Sequence, residues 1–272
     1  MTQPAALSEL SVTEFVTLAR LGFFPRGLVI GSCMFSAGSQ YDWIVRTGEI
    51  ERLSRAMHSA RELAVARMRA QAVELGAEGI VDVRLEVEHH LWRGARQVAK
   101  CIAIGTAVTF EAARAPAALR HAPSLRLADG SPFDSDLSTA DFVTLLEAGY
   151  RPITVAMGNC VYGLDPRELR DYRGSDSEIT SYTQAFFDAR ESAMQRLQDE
   201  LYAKWQLAGP RGPAGIVGMT VTEATYGGGG AASGPPIVEF TAIGTAVALM
   251  DGDDPRRAAE LPKPRVVVPL DR

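Results

Sequence analysis

Ala103-Ile104-Gly105-Thr106-Ala107-Val108 returns letter for letter as Ala242-Ile243-Gly244-Thr245-Ala246-Val247, at an offset of 139 residues. Working backward from that pair, Ala60-Arg61-Glu62 matches Ala189-Arg190-Glu191 at an offset of 129. Phe15-Val16-Thr17-Leu18 matches Phe142-Val143-Thr144-Leu145 at 127, and Gly22, Pro25, Gly31 and Cys33 return as Gly149, Pro152, Gly158 and Cys160 at the same offset. An offset that changes only between matched blocks is the mark of one domain written twice, with insertions in its loops. The spacing predicts a first copy over 8–112, a Pro- and Ala-containing linker over 113–136 and a second copy over 137–250. The Pro-rich tail, 251–272, is expected to be extended or disordered. Val266-Val267-Val268 is the stretch of that tail apolar enough to dock as an edge strand.

Each copy opens with a short amphipathic helix. In the first, Val12, Phe15, Val16, Leu18 and Ala19 form the apolar side, and Gly22 and Pro25 stop it. A strand follows at 28–35, matched by 155–162. The long helix comes next: Ile50, Leu53, Met57, Ala60, Ala64, Met68 and Ala72 step by three or four and share one face. Adding 129 gives Ile179, Tyr182, Phe186, Ala189, Ala193, Leu197 and Leu201 on the same face. Ser175 and Glu178 form a capping-box pattern before the second helix, and Gly76 and Gly209-Pro210 end the two.

Two strands complete each copy. In the first of them Val81, Val83, Leu85 and Val87 alternate with Asp82, Arg84, Glu86 and Glu88, so one face is dry and one wet. The last strand is apolar on both faces: Val98, Ile102, Ile104 and Val108 on one, Ala99, Cys101, Ala103 and Ala107 on the other. A two-layer domain leaves one side of its sheet in water, so a strand apolar on both sides is expected to lie under another copy or subunit.

Composition sets the outer limits. The chain has 272 residues, 46% apolar and 22% charged, as in globular domains, with a net charge of −5 and no basic block that would attract nucleic acid. No apolar run approaches the length of a membrane span, and the first residues lack a signal-peptide pattern. Three widely spaced cysteines make neither a disulfide framework nor a paired-cysteine zinc site, which suits a reducing cytoplasm.

The words Ala60-Arg61-Glu62, Leu75-Gly76-Ala77-Glu78-Gly79-Ile80-Val81 and Gly105-Thr106-Ala107-Val108, placed on a strand, long helix and two strands, resemble the YbjQ-like family, usually labelled heavy-metal-binding. The second copy keeps Ala189-Arg190-Glu191 and Gly244-Thr245-Ala246-Val247, but its helix exit is degraded between Gly209 and Val217. The resemblance covers about 27–110 and 154–250. It implies an α+β fold: two tandem dodecin-like β-α-β-β domains, each a long helix on a three-stranded antiparallel sheet and each preceded by a short helix. It also implies a homo-oligomer, a pentameric ring in family members, and a metal label without a ligand set to transfer.

Candidate chemistry is sparse. Cys33 and Cys160 hold equivalent places on the first strands and are the candidates for a soft divalent or monovalent metal ion, which wants converging thiolates or imidazoles. The alternative is a small buried thiol that packs like alanine; Cys101 is a third such residue. His89 and His90 are adjacent on a strand and point to opposite faces, which is poor for chelation. His58 becomes Phe187 in the second copy and His121 falls in the linker, so no nucleophile–histidine set is duplicated. Gly227–Gly230 joins two strands and lacks the Lys and helix of a phosphate loop. Arg61 with Glu62 and Arg190 with Glu191 are candidates for holding an anionic ligand between subunits, or for interfacial salt bridges. Tyr41-Asp42-Trp43 and Asp171-Tyr172-Arg173 either frame a pocket mouth or cover the helix starts. The reading is a non-enzymatic cytoplasmic oligomer that binds a soft metal ion or small ligand at subunit or domain interfaces. The alternatives are a structural ring-forming module and, third, an enzyme with its site in one copy.

Overall fold

A computed structural model describes residues 7–39, 47–92, 96–116, 119, 124–165, 167, 176, 178–210, 212–226 and 236–250. In chain order its elements are α1 (Val12–Arg20), β1 (Phe23–Ser39), β2 (Gly48–Glu49), α2 (Glu51–Glu74), β3 (Gly79–Trp92), β4 (Arg96–Phe110) and β5 (Phe133–Asp134). There follow α3 (Thr139–Glu147), β6 (Tyr150–Gly163), α4 (Thr180–Ala203), β7 (Gly215–Tyr226) and β8 (Ile237–Leu249). The fold is α+β, and the two halves share one order of elements and one pattern of pairing. In the first half β4 lies between β1 and β3; in the second β8 lies between β6 and β7, all antiparallel.

Among the described residues each sheet nevertheless has four strands, not the three expected, because each takes a two-residue edge strand from outside its own half. β2, from the first half, pairs with β6 through Gly48 with Gly163 and Glu49 with Tyr162. β5, from the stretch expected to be a linker, pairs parallel with β3 through Gly79 with Phe133 and Ile80 with Asp134. Leu125, Leu127 and Phe133 of that stretch are buried. Two residues are too few to show a strand period, so the sequence offers no pattern there.

The short helices start where their caps dictate. Ser11 accepts from the Glu14 N–H at 3.3 Å while the Glu14 carboxylate accepts from the Ser11 N–H at 2.7 Å. Ser138 Oγ accepts from the Asp141 N–H at 3.2 Å at the start of α3. The two long helices begin after Ile50 and Ile179, neither with a side-chain cap. Glu178 therefore lies outside α4 and does not serve in a capping box there; Ser175 lies outside the described residues, as do Tyr41-Asp42-Trp43, Asp171-Tyr172-Arg173, His121, Gly227–Gly230 and the tail 251–272.

The expected face of α2 is buried: Leu53, Met57, Ala60, Ala64, Met68 and Ala72 pack on β1 and β4. On α4 the equivalent Ala189, Ala193 and Leu197 pack with Ala156, Cys160, Val238 and Phe240 of the second sheet. A further layer arises because α2 also packs against the β6 side of the second sheet, on the face turned away from α4. Val155, Val161 and Ile237 share a core with α2. Thus most of β8 is buried within one chain, with Ile237 and the half-buried Ile243 in the core that includes α2 and Val238, Phe240 and Ala242 under α4. On β4 the residue corresponding to the buried Thr241, Ile102, is only half-buried.

A second junction closes the other end of the halves. Phe142 of α3 stands edge-on to Phe23 at 5.3 Å and stacks on Phe133 at 5.8 Å. The buried Asp134 carboxylate accepts from Arg69 Nε at 2.5 Å, the Val155 N–H at 2.8 Å and Thr154 Oγ1 at 3.2 Å, joining α2, β5 and β6. Its neighbour Asp136 accepts from the Thr245 hydroxyl, but burial outweighs that bond and pushes its carboxyl up to about 6 from 3.8. A carboxyl whose folded value lies above its unfolded one costs stability once it must ionise, so the cost is full above about pH 6 and fades as pH falls toward 4. Asp136→Asn keeps an acceptor for Thr245. Its melting temperature is expected to exceed the parent's at pH 7.5 and to converge with it near pH 4, as followed by circular dichroism.

Candidate functional site in the cleft between the halves

The second face of α2 carries Ser54, His58, Arg61 and Val65, again at steps of three or four, and it meets β6 and α4. β6 runs beside the short β2, and beyond β2 its outward amides would lack partners; side chains supply them. Ser54 Oγ accepts from the Val161 N–H at 3.0 Å, and Glu200 Oε2 accepts from the Met157 N–H at 3.1 Å. Asn159 Nδ2 donates to the Ser54 carbonyl at 3.0 Å, and Arg196 donates to the Asn159 carbonyl at 2.7 Å and pairs with Glu49 at 2.6 Å.

The centre of this face is charged. Arg61, only 1% exposed, pairs with the buried Glu200 of α4 and with Glu62 at 2.8 Å. Lys204 stands 4.0 Å from Glu62. Burial alone would push the Glu62 carboxyl up, but Arg61 and Lys204 outweigh it and hold it below the usual carboxylate range. Burial, and then Arg61, lower the pKa of His58, so its imidazole is neutral at pH 7. Beside these groups lies a cleft of about 370 Å³, lined by Ser54, His58, Asn159, Arg196 and Glu200, with Arg55 and Asp199 exposed along it. Glu200 Oε1 and Arg61 Nε are buried without a hydrogen-bond partner among the described residues. Such a site suits a small polar molecule that brings a donor to Glu200.

The other sequence candidates fall elsewhere. Cys33 faces α2 and lies opposite Cys101 in the β1–β4 register, whereas Cys160 lies in the core under α4. The structure therefore does not bring Cys33 and Cys160 together. Burial pushes the Cys101 and Cys160 thiols up to about 12, which keeps them protonated and poor metal ligands. Among the described residues no three His, Cys, Asp or Glu side chains converge on a point that would hold a metal ion. The residues present thus do not fit a thiolate centre. His89 and His90 pair with Ala99 and Val98 along β3; their side chains lie outside the described residues. Arg190 is half-buried and Glu191 exposed on α4.

Glu200, Asn159 and Ser54 were not among the candidates. One signal for Glu200 was present in the repeat: its counterpart is Gln71, whose Oε1 accepts from the Ile30 N–H at 2.9 Å as Glu200 does from Met157. A neutral amide has become a carboxylate at the position that faces a buried arginine.

The fold and the repeated words define a YbjQ-like protein, and a family model described as "Putative heavy-metal-binding" (YbjQ) matches residues 26–111. The chain belongs to this family. Over both halves it is similar to Encapsulin nanocompartment protein Rv1762c of Mycobacterium tuberculosis, with 36% identity over 268 residues, spanning 97% of this chain and 91% of that protein. Among the described residues no helix is long and apolar enough to cross a membrane.

Proposed function

We propose that this chain is a cytoplasmic binding and assembly module, not an enzyme, that it self-associates, and that its cleft between α2 and α4 holds a small polar molecule. The observation that carries the ligand reading is Glu200 Oε1, buried at the cleft and without a partner among the described residues, while its other oxygen is committed to Arg61 and Met157. A neutral His58 beside it accepts or donates without adding charge, and Arg55 and Arg196 favour an acceptor or anionic group at the far end of the ligand. A small ligand is favoured over a soft metal ion because burial keeps Cys101 and Cys160 protonated. The name of the relative supports a role alongside an encapsulin nanocompartment. Native mass spectrometry of the purified full chain, with elemental analysis, tests the reading. An organic adduct is expected on the parent chain and lost from Glu200→Gln, which keeps an acceptor for the Met157 N–H as Gln71 does for Ile30. An adduct retained in that variant, or stoichiometric metal abolished by replacing Cys33 and Cys160 with serine, would overturn it.

A further inference from the structure

β3 and β7 hold the same place in their sheets, but among the described residues only β3 has a neighbour on its outer side. That neighbour, β5, is seated by three backbone hydrogen bonds. The Phe133 N–H donates to the Glu78 carbonyl at 3.2 Å, the Ser135 N–H to the Ile80 carbonyl at 3.0 Å, and the Val83 N–H to the Ser135 carbonyl at 2.9 Å. The Phe133 ring fills the space over Gly79, where a Cβ would stand 2.1 Å from it. Each strand is interrupted at the same point, between Val81 and Arg84 on β3 and between Val217 and Thr220 on β7. The groups on β7 equivalent to those that hold β5 are therefore the Ala214 and Ile216 carbonyls and the Met219 N–H, with Gly215 in the place of Gly79. The cover differs sharply. Ile80, Val81 and Val83 are at most 2% exposed, whereas Ile216 and Val217 are half-buried and Met219 is 44% exposed. An apolar edge with unmatched amides and carbonyls is a ready seat for a strand.

The chain carries a segment suited to it. In the first half the covering strand comes from the residues that follow the central strand β4. The Glu111 N–H donates to the Gly22 carbonyl at 2.7 Å as the chain leaves β4, and the Met250 N–H donates to the Gly149 carbonyl at 2.9 Å as it leaves β8. The two exits thus start on one path. Phe133 follows the end of β4 by 23 residues, and Val266 follows the end of β8 by 17. Extended chain covers ~3.3 Å per residue, so that length far exceeds the ~10 Å of two strand spacings. Val266-Val267-Val268 is β-branched throughout and has an N–H at its first and third positions, as Phe133 and Ser135 do. Pro264 and Pro269 suit an edge strand, and Leu270 follows Val266 by four residues as the buried Leu137 follows Phe133.

We propose that Val266–Val268 is an edge strand of the second sheet, laid parallel to β7 of its own chain as β5 is laid on β3. The Val266 N–H donates to the Ala214 carbonyl, the Val268 N–H to the Ile216 carbonyl, and the Met219 N–H to the Val268 carbonyl. The Val266 side chain takes the seat over Gly215, and the Val267 N–H faces solvent. The segment after β8 thereby closes the second sheet as the segment after β4 closes the first.

Hydrogen exchange at the Met219 amide of the full chain, followed by NMR, tests this. The amide is expected to be protected in the parent. Val268→Pro removes the donor to Ile216 and should speed its exchange about tenfold or more, the equivalent of one lost backbone hydrogen bond. Val267→Pro removes only an N–H that faces solvent and should exchange at the parent rate. Ile216→Cys combined with Val267→Cys places thiols at paired positions, and on oxidation the chain is expected to keep its 29.3 kDa mass under denaturing, non-reducing conditions. Three results would overturn the proposal. One is a Met219 amide that exchanges in the parent as fast as in unstructured chain. Another is equal protection in the parent and Val268→Pro, which assigns the edge to some other segment or to a second copy. The third is a disulfide that doubles the mass, which puts the strand on a neighbouring chain.

Discussion

Glu200→Ala is expected to destabilise the chain by about 3–5 kcal/mol, because it leaves the Arg61 guanidinium buried with half its compensation removed. Glu62 remains within 2.8 Å of Arg61, but it is half-exposed and on the wrong side of the guanidinium to replace Glu200. The same truncation frees the Met157 N–H on β6. Two further changes separate these causes. Glu200→Gln keeps the amide bond and loses only the charge, so its loss should be smaller. Arg61→Met combined with Glu200→Met removes both charges and should recover most of the stability, since a well-packed apolar pair often equals a buried ion pair. Urea unfolding of the four proteins, compared at constant m, measures each step.

Gly158→Ala is the second large effect, and its origin is steric. A Cβ at Gly158 would meet the Ala193 carbonyl oxygen at 1.9 Å and the Leu197 nitrogen at 2.8 Å, both backbone atoms of α4. Such atoms cannot rotate aside, so the helix must lift from the sheet. The expected cost is at least about 3 kcal/mol, the upper end for an added methyl group. Gly31 repeats the contact in the first half, with Ala64 O at 1.8 Å. Either change also strains the Arg61–Glu200 pair, since Arg61 rides on α2 and Glu200 on α4. Thermal melts should show both alanine variants unfolding earlier, each with weakened binding at the cleft.

These two glycines show how the fold was readable from the letters alone. Their shared offset and the six-residue word that ends each half reveal one topology twice, because close helix–sheet approach and a central strand both demand particular residues. The inward face of α2 was equally plain, since alanine and methionine at helical spacing have no reason to face water. Its second face was not. Ser54 and Arg61 look solvated in isolation, and Arg61 is buried only because Glu200 waits 139 positions later. The edge strands escaped for a different reason: Gly48-Glu49 and Phe133-Asp134 owe their pairing to position, not to propensity. At the proposed site, the recurrence of Ala-Arg-Glu drew attention to Arg61 and Glu62. Recurrence alone does not separate a thiol ligand from a thiol that packs, and Cys33 and Cys160 lie in separate cores. On α1, an amphipathic pattern was present, yet Leu18 is the buried member while Val12 and Phe15 remain open.

The reciprocal loan of β2 and β5 ties cooperativity to the full length of the chain. A hairpin loop or a linker can be cut without cost to the sheets it joins, but here each half would leave with a rim of unmatched amides and carbonyls that its sibling had been covering. Heat or denaturant that loosens one sheet withdraws support from its counterpart at the same moment. The molecule is therefore expected to melt as one body, its doubled sequence conferring no two independent reserves of stability.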